Sequence, residues 1–224
     1  MKRIFDRADI LLPQNCDMAK WSVVACDQFS SQPEYWDALE RGTSGVPSAL
    51  HLMFPEAYLE TRDQFAEAEK INAEMERYLD AGVTRVILGS AAIENPQFME
   101  SLAKQYPGKV AAGVDAKNGF VAIHGWKTIT DIVAYDFVES LPQRGIDTVI
   151  YTDISRDGKL QGPKIGAYER LSQIKDLQIV ASGGVSSPED IAALAKLNLY
   201  AAIIGKALYD GRITLEQALE TAKG

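Results

Sequence analysis

"TRVILGSAAI", residues Thr84 to Ile93, and "YAAIIGKALY", residues Tyr200 to Tyr209, are nearly one phrase written twice. Each is an apolar, β-branched run followed by a lone glycine, then Ser or Lys, then small apolar residues fit to open a helix. A continuous apolar run is the signature of a strand buried on both faces, which parallel sheets require. The two copies stand about half of an eight-stranded parallel barrel apart, taking such a barrel as about 250 residues. The second copy lies where a last barrel strand belongs, so the first reads as a middle strand.

The chain between and around the copies keeps one rhythm. "TRVILGS" leads to the helical stretch "NPQFMESLAKQY", and "KVAAGVD" leads, after a loop, to "TDIVAYDFVESLPQRG". "DTVIYTD" leads to "GAYERLSQI", "QIVASGG" to "SPEDIAALAKL", and "YAAIIGK" to "TLEQALETAK". Apolar strands alternating with helices predict a parallel sheet covered by helices. Ser187-Pro188-Glu189-Asp190 sets a capping hydroxyl before Pro and two acids, which suits a helix start. Thr130-Asp131 and Thr214 to Gln217 read as similar starts. Gly82 and Gly145 stand where helices would stop.

Residues 1–80 have a different grammar. "WSVVACDQF" and "SALHLMF" are candidate strands, and "PEYWDALERG" is a candidate helix. "RDQFAEAEKINAEMERYLDAG" spaces Phe65, Ala68, Ile71, Met75 and Leu79 as a helical stripe. Pro13, Pro33, Pro47 and Pro55 break up the remainder, and no strand–helix rhythm emerges. Two domains are expected: a segment over 1–80, and a partial (βα) barrel over 81–224.

A chain of 224 residues with 46% hydrophobic and 24% charged residues is long and apolar enough for a full globular core. Its net charge of −8 disfavours nucleic acid as a partner, which would want a basic face. No apolar run reaches the roughly 20 residues of a membrane helix, and "MKRIFDRADI" has no apolar core of a secretory signal. Cys16 and Cys26 lack a metal-type or redox-type spacing, so a reduced cytoplasmic chain is expected.

In a parallel barrel the reactive groups gather at the C-terminal ends of the strands. Those ends carry Gly89-Ser90, Asp115, Thr152-Asp153, Gly183-Gly184 and Gly205-Lys206. Glycines let a backbone approach a ligand, and helix starts present N–H groups to an anion. Gly183 and Gly184 with Gly205 and Lys206 are therefore read as one phosphate site, and Gly89 and Ser90 as half of another. Asp115 is a candidate general acid or base, and Thr152 a donor to a substrate hydroxyl. Asp157-Gly158 reads equally as a turn or a ligand contact. Trp126 reads equally as a core residue or as an indole that stacks on a heterocycle.

"VILGSAAIENP", "GVDAKNGFVAIHGW", "YTDISRDGKLQGP", "ASGGVSSPEDI" and "AIIGKALYDGRI" together resemble the histidine-biosynthesis isomerase family over residues 79–222. The resemblance implies a TIM-type barrel and an Amadori rearrangement of a bis-phosphorylated ribotide, aminoaldose to aminoketose, without cofactor or metal. It gives Asp115 the role of acid and matches Thr152 to a strand-six threonine. It assigns Gly183, Gly184, Gly205 and Lys206 to one phosphate and Gly89 and Ser90 to the other, with Trp126 stacking on the substrate base. The sister cyclase family shares the barrel and both phosphate sites, but "YTDISRDGKLQGP" and the "HGW" loop are more similar to the isomerase.

The family's first three strands, with a second catalytic Asp and a Gly-rich turn bearing Arg, have no counterpart here. Asp27 ends "VVACD", but its flanks do not resemble the family. Residues 1–80 resemble instead the N-terminal end of a long uncharacterised bacterial family, and the two resemblances meet at "YLDAGV" as in a chimera. Missing strands leave open sheet edges, so self-association and impaired turnover are expected. The rival reading is a phosphate-binding or ribotide-binding module without catalysis.

Overall fold

The structure is a computed structural model that describes residues 50–52, 73, 75–80 and 83–223. "WSVVACDQF", "PEYWDALERG", Asp27 and Gly82 lie outside the described residues. The described chain forms two compact units, divided between Val110 and Ala111.

In the first unit, β1 (Leu50–Leu52) pairs parallel with β2 (Val86–Leu88), Leu50 opposite Val86 and Leu52 opposite Leu88. The candidate strand "SALHLMF" thus contributes three residues. All of β2 is buried, as an apolar run with partners on both faces should be. Residues 75–80 are helical, and Met75 and Tyr78 are the buried positions. Phe65, Ala68 and Ile71 lie outside the described residues, and the inward position after Met75 is Tyr78 and not the expected Leu79, which is only half-buried; the larger aromatic ring takes the inward place. After β2 come α1 (Ser90–Glu94) and α2 (Pro96–Gln105). Asn95 starts α2, its side chain accepting from Phe98 N at 3.1 Å, with Pro96 in the first turn. Met99, Leu102 and Ala103 form the buried face, the i, i+3, i+4 spacing of an amphipathic helix.

The second unit is α/β with a mixed sheet. Strands β3 (Val110–Lys117), β6 (Thr148–Asp153), β7 (Gln178–Ser182) and β8 (Ala201–Ala202) run parallel in that order. A hairpin, β4 (Phe120–Ile123) and β5 (Thr128–Val133), lies antiparallel beside β3. Helices α3 (Ala134–Ser140), α4 (Ile165–Leu171), α5 (Pro188–Ala195), α6 (Lys206–Tyr209) and α7 (Leu215–Lys223) separate or follow the strands. They bury Phe137 and Val138, Tyr168 and Leu171, Ile191 and Leu194, and Ala218. Every residue of β6 is buried, which makes it the spine of this unit.

The hairpin corrects two expectations. The sheet is mixed rather than purely parallel, because Asn118 and Gly119 take φ of 55° and 88° and turn the chain back from Lys117 to Phe120. Asn-Gly is the preferred pair for such a two-residue turn. Thr130-Asp131 is not a helix start but lies within β5. The run Thr-Ile-Thr-Asp-Ile-Val is rich in β-branched residues, which favours a strand. The Thr130 hydroxyl donates to Val121 O at 3.0 Å across the hairpin instead of capping. Helix α3 begins only at Ala134. Gly145, with φ of 80°, closes the short 3-10 turn Pro142–Arg144 as a helix stop should.

Candidate functional site

Asp115 of β3 is paired in register with Thr152 of β6, and Thr152 with Ser182 of β7. Partners on parallel strands present their side chains to one face, so these three form a row at the C-terminal ends of adjacent strands. Thr152 is buried and Asp115 half-buried. The Trp126 indole N–H donates to Asp115 Oδ2 at 2.8 Å. Trp126 sits in the β4–β5 turn with φ of 70° and is 43% exposed. It is not a core residue. The hydrogen bond to Asp115 orients both groups.

The segment after β6 is anchored by Asp153, which the candidate site left without a role. Its carboxylate is buried and accepts from the Ser155 amide at 2.9 Å and from the Ser155 hydroxyl. Lys164 Nζ lies 3.5 Å from its other oxygen. The Asp153 carbonyl accepts from the amides of Arg156 and Asp157 at 2.9 and 3.2 Å. Asp157 precedes Gly158, whose φ is 65°, and is exposed at this turn. Neighbouring protein still displaces enough water to raise its carboxyl above the ordinary value, although a backbone hydrogen bond from Gly158 opposes the shift.

Two kinds of glycine turn end the later strands. Gly183 and Gly184 have φ of 89° and 90°, and chain crosses close above them. A Cβ on Gly183 would stand 2.9 Å from Asp153 O, and one on Gly184 would stand 2.6 Å from Gly162 O. Helix α5, which follows, is closed to an anion. Asp190 Oδ2 accepts from the Ser186 and Ser187 amides at 2.9 and 3.1 Å, and Ser187 Oγ accepts from Asp190 N at 3.3 Å. This corrects the expectation that the helix start after the double glycine offers its amides to a phosphate. The first-turn acids that mark a helix start also consume its donors.

Gly205 is different. It precedes α6 with φ −103° and ψ −97°, no side chain caps the helix, and no acid stands in its first turn. A Cβ there would meet nothing within 4 Å. Lys206 is exposed at the start of α6. In the first unit, Gly89 precedes α1 with φ −90° and ψ −111°, again with no side-chain cap, no first-turn acid and open space at the Cβ position. The doubled phrase is therefore doubled in backbone form.

Among the described residues, no group of three or more His, Cys, Asp or Glu side chains could hold a metal ion, and no helix is long and apolar enough to cross a membrane.

The family model described as "Histidine biosynthesis protein" matches residues 70–214. Among curated relatives, a protein of Listeria welshimeri named 1-(5-phosphoribosyl)-5-((5-phosphoribosylamino)methylideneamino) imidazole-4-carboxamide isomerase is 45% identical over 148 residues, 66% of this chain and 62% of its own. Proteins with the same activity in their names, from Ruegeria pomeroyi and Clostridioides difficile, are each 48% identical. They align over 68% and 62% of this chain and 64% and 58% of their own. The chain thus spans less than two thirds of the length of these relatives.

Proposed function

Because the chain belongs to the histidine biosynthesis protein family, we propose that it carries the acid, hydroxyl and phosphate-binding part of an isomerase acting on a bis-phosphorylated ribotide. The observation that carries this reading is the in-register row Asp115–Thr152–Ser182, with the Trp126 indole bonded to the Asp115 carboxylate. In this reading residues 81–224 are five strand–helix units of a TIM-type barrel, and residues 1–80 are a separate segment. One substrate phosphate is held by Gly183, Gly184, Gly205 and Lys206, and the other is approached by Gly89 and Ser90. Asp157 contacts substrate from its turn.

The chemistry assigned to the row is an acid-assisted aldose–ketose shift. Protonation of the ribose ring oxygen by Asp115 opens the ring and gives a Schiff base. Loss of the C2 proton to a base gives an enaminol, and protonation at C1 with loss of the 2-hydroxyl proton gives the aminoketose. Thr152 donates to a substrate hydroxyl and fixes the sugar against Asp115, while Trp126 stacks on the imidazole. No cofactor or metal enters these steps. The base has no candidate among the residues named, and loss of one acid–base partner costs a factor of about 10² to 10⁴. Turnover by this chain is accordingly expected to be far below that of a complete enzyme.

The test is ribotide titration and turnover in wild type and Asp115→Asn. Binding by both, with weak turnover confined to wild type, supports an impaired isomerase. Equal binding with no chemistry in either favours a non-catalytic ribotide-binding module, the reading suggested by an alignment that covers only 62% of the Listeria welshimeri relative. No ribotide binding by wild type refutes both.

A further inference from the structure

Tyr168 is the largest polar side chain fully enclosed in the second unit whose role neither the acid nor the phosphate reading uses. It lies on α4, and its accessibility is 0%. Its hydroxyl stands where β6 and β7 end. It lies 2.7 Å from Ser182 O and 3.0 Å from Tyr151 O, and it accepts from Ser182 N at 3.1 Å. One oxygen thus bridges the last residue of β7 and the residue before Thr152. Thr152 and Ser182 are themselves register partners, and the next residue, Gly183, packs under Asp153 O and near the Thr152 methyl.

We propose that the Tyr168 hydroxyl is a positioning group for the glycine turn, setting the separation between Thr152 and Gly183 so that the turn can receive a phosphate. This rests on the phosphate reading above. The hydroxyl has one proton for two carbonyls, so it accepts one amide and shares its proton between the two strands. No other side chain bridges these two strand ends among the described hydrogen bonds. Burial holds the phenol well above its ordinary pKa of 10, which keeps it a neutral donor across the physiological range. The ring is held in turn by Tyr151, edge to face at 5.9 Å and 86°. Both the oxygen and the ring that carries it are therefore fixed. Removing the oxygen would leave Ser182 N–H without this acceptor and let the strand ends relax towards each other.

The experiment is calorimetric titration of inorganic phosphate into the full chain as wild type, Tyr168→Phe and Tyr151→Phe, with thermal melts alongside. Tyr168→Phe should fold and bind phosphate about tenfold more weakly, the effect of one buried polar group left unpaired. Tyr151→Phe should bind as wild type does. A hydroxyl serving stability alone would lower the melting temperature and leave the affinity unchanged, which would overturn the proposal. An equal loss in Tyr151→Phe would also overturn it. If Tyr168→Phe does not fold, hydrogen exchange of the Ser182 amide in wild type decides: slow exchange that slows further with phosphate supports the bridge, and exchange at the rate of an open turn overturns it. No phosphate binding by wild type refutes the phosphate reading itself, whereas equal binding by wild type and Tyr168→Phe refutes only the positioning role.

Discussion

Gly184→Ala is the sharpest stability test of the site. The residue has φ of 90°, and placing an L side chain in left-handed backbone costs about 1–2 kcal/mol. The new Cβ would also stand 2.6 Å from Gly162 O and 2.9 Å from Arg156 Cβ. Neither is the far end of a flexible side chain, so the strand-six loop must move. Overpacking of this kind costs about 1–3 kcal/mol. The two effects together give about 2–5 kcal/mol, against a typical total stability of about 5–15. At about 2–4 °C per kcal/mol for a chain of this size, the melting temperature should fall by about 4–20 °C. Urea unfolding followed by far-ultraviolet circular dichroism measures the same difference as a shift in midpoint at unchanged slope. A loss below about 1 kcal/mol would refute the conclusion that residues 153–162 cross over this turn.

Gly205→Ala is the complementary case: its methyl meets nothing within 4 Å, so stability should change by about 1 kcal/mol or less, while inorganic phosphate affinity by calorimetry should fall about tenfold as the methyl intrudes on the backbone approach. Asp190→Ala removes the acceptor of the Ser186 and Ser187 amides and should cost about 1–2 kcal/mol in urea unfolding; a neutral result would deny the capping box. Asp157→Asn tests a pH dependence. The folded-state carboxyl is raised above its ordinary 3.8, so its ionised form is disfavoured on folding and weakens the protein above the folded pKa. The Asn variant should therefore melt slightly higher at neutral pH, with an advantage that shrinks as pH falls through the folded pKa and is gone below 3.8.

Much of this was legible because local chemistry and long-range packing agreed. Ser187 with Asp190 and Thr214 with Gln217 cap helices as their spacing implies, the latter pair exchanging bonds of 3.0 and 3.2 Å. The glycine of each doubled phrase does precede a helix. Thr130-Asp131 misled because a hydroxyl before an acid suits both a cap and a strand edge. The deciding signal, Asn118-Gly119 between two strand-like stretches, lies twelve residues upstream of Thr130 and is visible. The anchoring by Asp153 and the bridge by Tyr168 were not visible. Each depends on partners brought in from other strands and turns, and nothing in the spacing of an Asp or a Tyr announces them. The closed start of α5 has a related cause: the acid that marks the helix start, Asp190, itself takes the Ser186 and Ser187 amides that the glycine turn suggests would face an anion.

The hairpin has one further consequence. Its base is tied where the Ala134 amide donates to Gly119 O at 2.8 Å, so the chain leaves the end of β3 and comes back beside that end before it enters α3. Residues inserted or removed between these two points would lengthen or shorten an excursion without shifting the register of β3 against β6, and loop length itself carries a small entropic penalty. Asp115 belongs to the frame, while Trp126 rides on the excursion. The fold thus separates the part of the site that must stay constant from the part that is free to drift, and a change of ligand preference can accumulate in the hairpin while the carboxylate stays where it is.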